Sequence, residues 1–322
     1  MGQNKERILD IFFRLMMGEG ISVAGFANEY NVSTKSISRD LNEIKNFTYE
    51  HRELLSNAEI KYHADDKKHY LELEHFLEPN ELFAITKIIL GSRSLSKTET
   101  VEIISKLKNY VSKQDRDMLN ELIASELYSF NEINHDCKNV IDNIWKLTNC
   151  IRNHKEITVE YFKMSRERVE RRIRPLAITF SDYYFYLICS QKMGDDSWEI
   201  RYYRVDRIVR IIEHRTRFRV HKSDSVNEGD LMNKIQYMQP GGVRRIRFAF
   251  NGPSVQAVLD RIPTANLVEK KDGECIIEAE VIGSGVKMFL LSQGAWVRPL
   301  APKDFVDEMK EEVEKMRERY GE

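Results

Sequence analysis

Two runs near the middle of the chain leave little choice of local structure. Tyr183-Tyr184-Phe185-Tyr186-Leu187-Ile188-Cys189 is aromatic and aliphatic throughout and is bounded ahead by Ser181-Asp182, a composition suited to a pleated strand. Trp198 through Arg204 follows, and Met193-Gly194-Asp195-Asp196 between the runs reads as a turn. A turn centred there makes an antiparallel hairpin that brings Tyr186 close to Tyr203 and Arg204, so that a phenol and a guanidinium share one surface. Arg172, Arg174, Arg201 and Arg207 are placed to surround it. Guanidinium forks beside aromatic faces offer charge for phosphate and a flat surface for base stacking. Alternation sends Phe185 and Leu187 to the core and leaves Asp206 to pair with a neighbouring arginine. Arg166, Arg168 and Arg171 read as a solvated run in a polar turn.

The same residues carry a family resemblance. Arg174-Pro175-Leu176, then Phe185-Tyr186-Leu187, then Arg201-Tyr202-Tyr203-Arg204-Val205-Asp206-Arg207-Ile208 together resemble the WYL domain of bacterial regulators. Phe185 stands where that family usually has Trp, and Val205 where it usually has Leu; both keep an apolar body. The resemblance implies an Sm/SH3-like β-barrel over 154–220 that senses a nucleic-acid fragment or nucleotide, with Tyr186 and Arg204 facing the ligand. It also implies a link, in some members, to DNA damage or phage defence.

The first 75 residues show a different periodicity. Ile8, Ile11, Phe12 and Leu15 fall at helical spacing ahead of Gly18 and Gly20, a second short helix fits Val23 to Tyr30, and Ser33 or Thr34 caps a third. The third helix buries Ile37, Leu41 and Ile44. At 100° per residue its opposite side carries Lys35, Arg39, Asn42 and Asn46, side chains that reach phosphates and base edges. Ile60 to His63 and His69 to Leu73 flank a charged tip and read as a hairpin. Three helices and a hairpin are the winged helix-turn-helix order. Ser33-Thr34-Lys35-Ser36-Ile37-Ser38-Arg39-Asp40-Leu41 resembles the DeoR-like motif, which adds Ser33, Thr34, Ser36 and Ser38 to the DNA-contacting candidates.

Between these segments, residues 76–153 show four helical patterns and read as a linker or dimerisation region. Residues 235–322 resemble the αβ extension found on many WYL regulators: strands over Arg244 to Phe250 and Cys275 to Ile282, helices over Ser254 to Arg261, Lys287 to Gln293 and from Phe305 on, with Trp296 assigned to the core. The expected fold class is therefore α+β multidomain: winged helix-turn-helix (1–75), helical linker, WYL barrel, and C-terminal αβ domain.

Charge and cysteine usage narrow the function. The 322 residues carry 50 Lys and Arg against 51 Asp and Glu, a net charge of −1, so nucleic-acid binding has to come from local arrangement. Arg152 to Arg219 holds sixteen basic against ten acidic residues, most of the basic ones arginine, whereas residues 1 to 70 hold ten against eleven. Cys137, Cys150, Cys189 and Cys275 are far apart and read as reduced thiols of a cytoplasmic protein with no membrane segment. No glycine-rich phosphate loop, Gly-x-Ser-x-Gly or His-Glu-x-x-His occurs, and His63, His69 and His75 read as surface or packing residues. Neither an enzyme nor a metal or cofactor site is expected. The reading is a homodimeric transcriptional regulator, a repressor, binding double-stranded operator DNA and answering to a single-stranded nucleic acid or nucleotide effector. A single-stranded nucleic-acid-binding accessory protein and a sensor of a small anionic metabolite are the alternatives.

Overall fold

The first helix, α1 (Gly2–Met16), turns Ile11 and Leu15 inward and gives way to Gly18, whose φ of 75° is a left-handed conformation that only glycine takes without strain. Two hydroxyl caps set the next helices. Ser22 accepts from the Gly25 N–H at the start of α2 (Val23–Glu29), and Ser33 accepts from the Ser36 N–H, at 3.2 Å, at the start of α3 (Thr34–Glu50). Ile37, Leu41 and Ile44 of α3 close over Ile11, Leu15, Phe26 and Ile60, each fully buried aliphatic contributing about 1.5–3 kcal/mol. The hairpin of β1 (Glu59–His63) and β2 (Lys68–Glu72) pairs Ile60 with Leu71 and Tyr62 with His69, and His69 also bridges to Ile21. This computed structural model describes residues 2–51, 58–72, 77–111, 113–194, 197–219, 228–271 and 273–321. Leu73 and His75, and Asp195 and Asp196 of the expected turn, lie outside them.

Three further helices follow: α4 (Pro79–Ser92), opened by Pro79 and a Glu78/Glu81 capping box, α5 (Lys97–Leu107), opened by a Ser96/Glu99 box, and α6 (Lys113–Tyr128). Leu82 packs with Val111 and Leu119, and Leu90 with Ile104 and Ile123. The chain divides into two compact units, Met1–Ile133 and Asn134–Glu322.

The second unit begins with α7 (Val140–Arg152) and a five-stranded antiparallel sheet of β3 (Lys155–Phe162), β4 (Arg168–Ser181), β5 (Tyr184–Lys192), β6 (Trp198–Arg204) and β7 (Ile208–Arg217), in the order β6-β5-β4-β3-β7. One face, with Ile157, Val159, Ile173, Leu187 and Cys189 buried, lies under α7 with its buried Leu147 and Cys150. Pro175 sits at a register shift in β4, where its missing N–H takes nothing from the ladder. The expected Sm/SH3-like barrel does not close. Among the described residues β6 and β7 are the two edges, with no ladder between them. The turn Val205–Arg207 that joins them is tied elsewhere: the Asn143 side-chain amide donates to the Ile208 carbonyl at 2.7 Å, and the Asp136 and Cys137 N–H groups both donate to the Asp206 carbonyl.

The remaining chain forms α8 (Glu228–Lys234), β8 (Val243–Phe250), α9 (Val255–Arg261), β9 (Asn266–Lys271), β10 (Glu274–Ile282), α10 (Gly285–Ser292), β11 (Val297–Ala301) and α11 (Lys303–Arg319). The four strands make an antiparallel sheet in the order β11-β8-β10-β9, cored by Phe248, Ile277, Val281, Leu290, Phe305 and Met309. Trp296, expected in that core, is 50% exposed. It ends the short turn Gly294–Trp296, and Phe305 from α11 fills the interior instead.

Candidate functional site

On α3 the buried stripe and the wet face separate cleanly. Ile37, Leu41 and Ile44 are buried, whereas Ser33, Thr34, Lys35, Ser38, Arg39, Asn42 and Asn46 are exposed and Ser36 is half-buried. Ser33 and Ser36 engage each other at the helix start, so they serve the cap first. Among the described residues Lys35, Arg39, Asn42 and Asn46 have no protein partner, which leaves their donors to solvent or a ligand. Asp40 behaves differently from its neighbour Arg39. It is buried and accepts from Arg7 of α1 at 2.6 Å, so within one dipeptide one residue faces outward and the other fastens α3 to α1. In the hairpin, Tyr62 meets His69 and His63 meets Tyr70 as cross-strand ring pairs.

On the sheet, register decides which side chains meet. Tyr186 lies directly opposite Arg204, and Thr179 opposite Tyr186. Register also puts Glu156, Arg172 and Arg174 on this face, since Thr158 pairs with Arg172 and Ser190 with Arg174. Arg172 and Arg174 both donate to the buried Glu156, at 2.6 and 3.0 Å, and the Arg174 guanidinium lies 3.6 Å over the Trp198 ring. Burial pushes the Glu156 carboxyl up, but the hydrogen bonds from Arg172 and Arg174 outweigh it and hold the group below the usual carboxylate range.

A second stacked arginine stands at the other end of the face. Arg204 forks onto Asp206 at 3.0 and 2.6 Å, and its guanidinium lies 3.4 Å over the ring of Tyr184. Tyr184 meets Tyr186 edge to face, and Tyr186, together with Tyr202, packs beside Ile188, Leu231, Ile235 and Met238. Burial pushes the Tyr186 phenol up to about 12, against the pull of Arg204, so it stays protonated throughout the neutral range. Burial also pushes the Asp206 carboxyl up, yet His135 and Arg204 outweigh it and keep it ionised below its ordinary value.

Arg172, Arg174, Tyr186 and Arg204 are thus brought to one face. Tyr203 and Arg201 are not. Adjacent strand residues point to opposite sides, so Tyr203 turns under the sheet opposite Leu187, bonds its hydroxyl to Gln191 and meets Tyr161 edge to face. Arg201, on the same side, pairs with Glu199. Arg207 lies in the turn near the Tyr161 phenol. Sequence reasoning missed Tyr184 and Trp198 as the two stacking platforms and Glu156 as the shared counter-ion. The first two were visible as same-parity neighbours of Tyr186 and Arg204. Among the described residues no three His, Cys, Asp or Glu side chains converge as a metal site, and no helix is long and apolar enough to cross a membrane.

Residues 142–212 match the WYL domain family, a span that opens within α7 and closes within β7. A WYL domain is therefore present in this chain. Two solved structures are similar to it. Proteasome accessory factor B/C (PafBC) of Arthrobacter aurescens is 15% identical, with 100% of this chain and 49% of that chain covered and a TM-score of 0.31. A CRISPR Cas-related protein is 15% identical, with 99% of this chain and 93% of that chain covered and a TM-score of 0.38. The chain spans about half the length of the PafBC chain it matches. No curated protein matches it.

Proposed function

We propose that a chain carrying this WYL domain behind a capped, polar-faced helix is a DNA-binding transcriptional repressor. Its α1–α3 and β1–β2 segment forms a DeoR-like winged helix-turn-helix that holds a two-fold operator as a homodimer, one α3 per half-site. The WYL domain senses a nucleic-acid or nucleotide ligand, which binds one conformation better than the other and so changes operator affinity. The observation that carries this reading is α3. Its apolar stripe is spent on the core, while Lys35, Arg39, Asn42 and Asn46 stand exposed and unengaged among the described residues. On the sheet, Arg204 stacked on Tyr184 and Arg174 stacked on Trp198 supply charge beside aromatic faces, the chemistry that single-stranded nucleic acid requires.

A gel shift on the chain's own upstream region tests it, with an oligothymidylate added as effector. Wild type should form a specific complex that the oligonucleotide releases. Arg39→Ala should weaken it by about 1–3 kcal/mol, roughly fivefold to 150-fold. The stacked arginines also favour a second reading, an accessory protein that grips single strands without controlling a promoter. Oligothymidylate binding with no specific duplex complex would select that reading.

A further inference from the structure

His135 is buried beside the Arg204–Asp206 fork and, among the described residues, makes no hydrogen bond there. Its Nδ1 lies 3.8 Å from Asp206 Oδ2, too long for a hydrogen bond, with the two side chains 7% and 4% exposed. Among the described residues neither ring nitrogen has a hydrogen-bond partner. A buried polar group left idle costs free energy, and this one faces a carboxylate whose two oxygens are both occupied by Arg204. Among the described residues the charged and titratable groups around it are few. Asp206 and Arg204 come from the turn and β6, the Tyr184 and Tyr186 phenols lie beyond Arg204 on β5, and Arg207 with Tyr161 flank the turn. On its own segment Asp136 is neutralised by Arg166 from the β3–β4 turn.

We infer that His135 is a proton-coupled positioning residue of the anion site. When a phosphodiester takes the Arg204 guanidinium, Asp206 loses its counter-ion, and His135 binds one proton from solvent and replaces it. Charge balances at each end: guanidinium with phosphodiester, imidazolium with the carboxylate that stays ionised throughout. A buried carboxylate left unpaired is strongly disfavoured, so the imidazole makes the exchange possible. The residue lies ahead of the 142–212 family match, on a segment whose Asp136 and Cys137 N–H groups hold the Asp206 carbonyl at 3.0 and 2.9 Å. That segment follows directly on the boundary between the two units at Ile133 and Asn134.

This inference rests on the reading of the WYL domain as a nucleic-acid sensor, and the test separates the two. Calorimetric titration of the full chain with an oligothymidylate lacking a terminal phosphate avoids ligand groups that titrate near neutrality. Repeating it in buffers of different ionisation heat counts the protons taken up. Wild type should take up as much as one proton per oligonucleotide bound, with affinity falling as pH rises, by up to about tenfold per pH unit. His135→Gln and Asp206→Asn should each bind with that uptake abolished. Binding by wild type without proton uptake, or undiminished uptake in His135→Gln, overturns the relay and leaves the sensor reading standing. Should His135→Gln fail to fold, undiminished uptake in Asp206→Asn overturns it equally. No oligonucleotide binding by wild type removes the sensor reading and the relay together.

Discussion

Asp40 brings a charge into the helical core of the first unit, and Arg7 is what makes that tolerable. The pair meets at 2.6 Å with 11% and 2% of the side chains exposed, and the hydrogen bond to Asp40 raises the Arg7 guanidinium further above its already high value. Removing one member of such a pair leaves an uncompensated buried charge, which costs about 3 kcal/mol or more. Arg7→Ala should lower the unfolding free energy by that order in urea, whereas Arg39→Ala, one residue away from Asp40 and exposed, should stay within about 0.5 kcal/mol and weaken DNA binding instead. Equal stability losses in the two variants would refute the division of labour drawn between these neighbours. The Arg39 side of this contrast was legible from helical periodicity. The Asp40 side was not, because its partner lies 33 positions earlier and no local pattern links them.

At the scale of elements, the register of β3, β4, β5 and β6 creates two stacked arginines from separate strands, and the sheet's acid response follows from their counter-ions. Glu156 and Asp206 are both held below their ordinary values by arginine partners against the opposing effect of burial. A carboxyl with a lowered folded value adds stability above its unfolded value and loses it as pH falls through the folded one. The second unit should therefore lose resistance to urea below about pH 4.5, and Glu156→Gln should flatten part of that slope. A wild-type slope unchanged in Glu156→Gln would place the acid sensitivity elsewhere. The pairing of Tyr186 with Arg204 could be read from the turn position, but alternation was misapplied to Tyr203, which shares a face with Leu187. β9 was illegible for another reason: all six of its residues are exposed, so Asn266 to Lys271 shows no buried side to betray a strand. A different element depends on close approach. A Cβ on Gly285 would lie 1.7 Å from the Gln236 carbonyl oxygen, so Gly285→Ala should force α10 away from the segment carrying Ile235 and Met238 and cost about 2 kcal/mol.

For the whole molecule, the consequential fact is that the apolar clusters described above each fall within one unit or the other. Ile11, Ile37 and Leu41 cluster in the first, Phe248, Ile277 and Phe305 in the second, and the chain passes between the units at Ile133–Asn134. Sequence periodicity showed the separate helical and β-rich regions, yet not this boundary. Residues 131 and 132 are engaged by Arg93 and the Lys97 N–H, whereas residues 136 and 137 are engaged by the Asp206 carbonyl, and such partners become visible only in three dimensions. Separate cores in the two units should make denaturation of the full chain depart from a single two-state transition. The consequence extends to function. A fragment of residues 134–322 should fold alone, as a unit of that size buries enough surface to do so, and bind oligothymidylate as the full chain does while ignoring the operator. Residues 1–133 should bind operator duplex and be blind to the oligonucleotide, since the arginine and aromatic platforms are absent from it. An N-terminal fragment still released by oligothymidylate would mean that the effector acts on the DNA-reading unit directly, and the WYL domain would then lose its assigned role as the sensor.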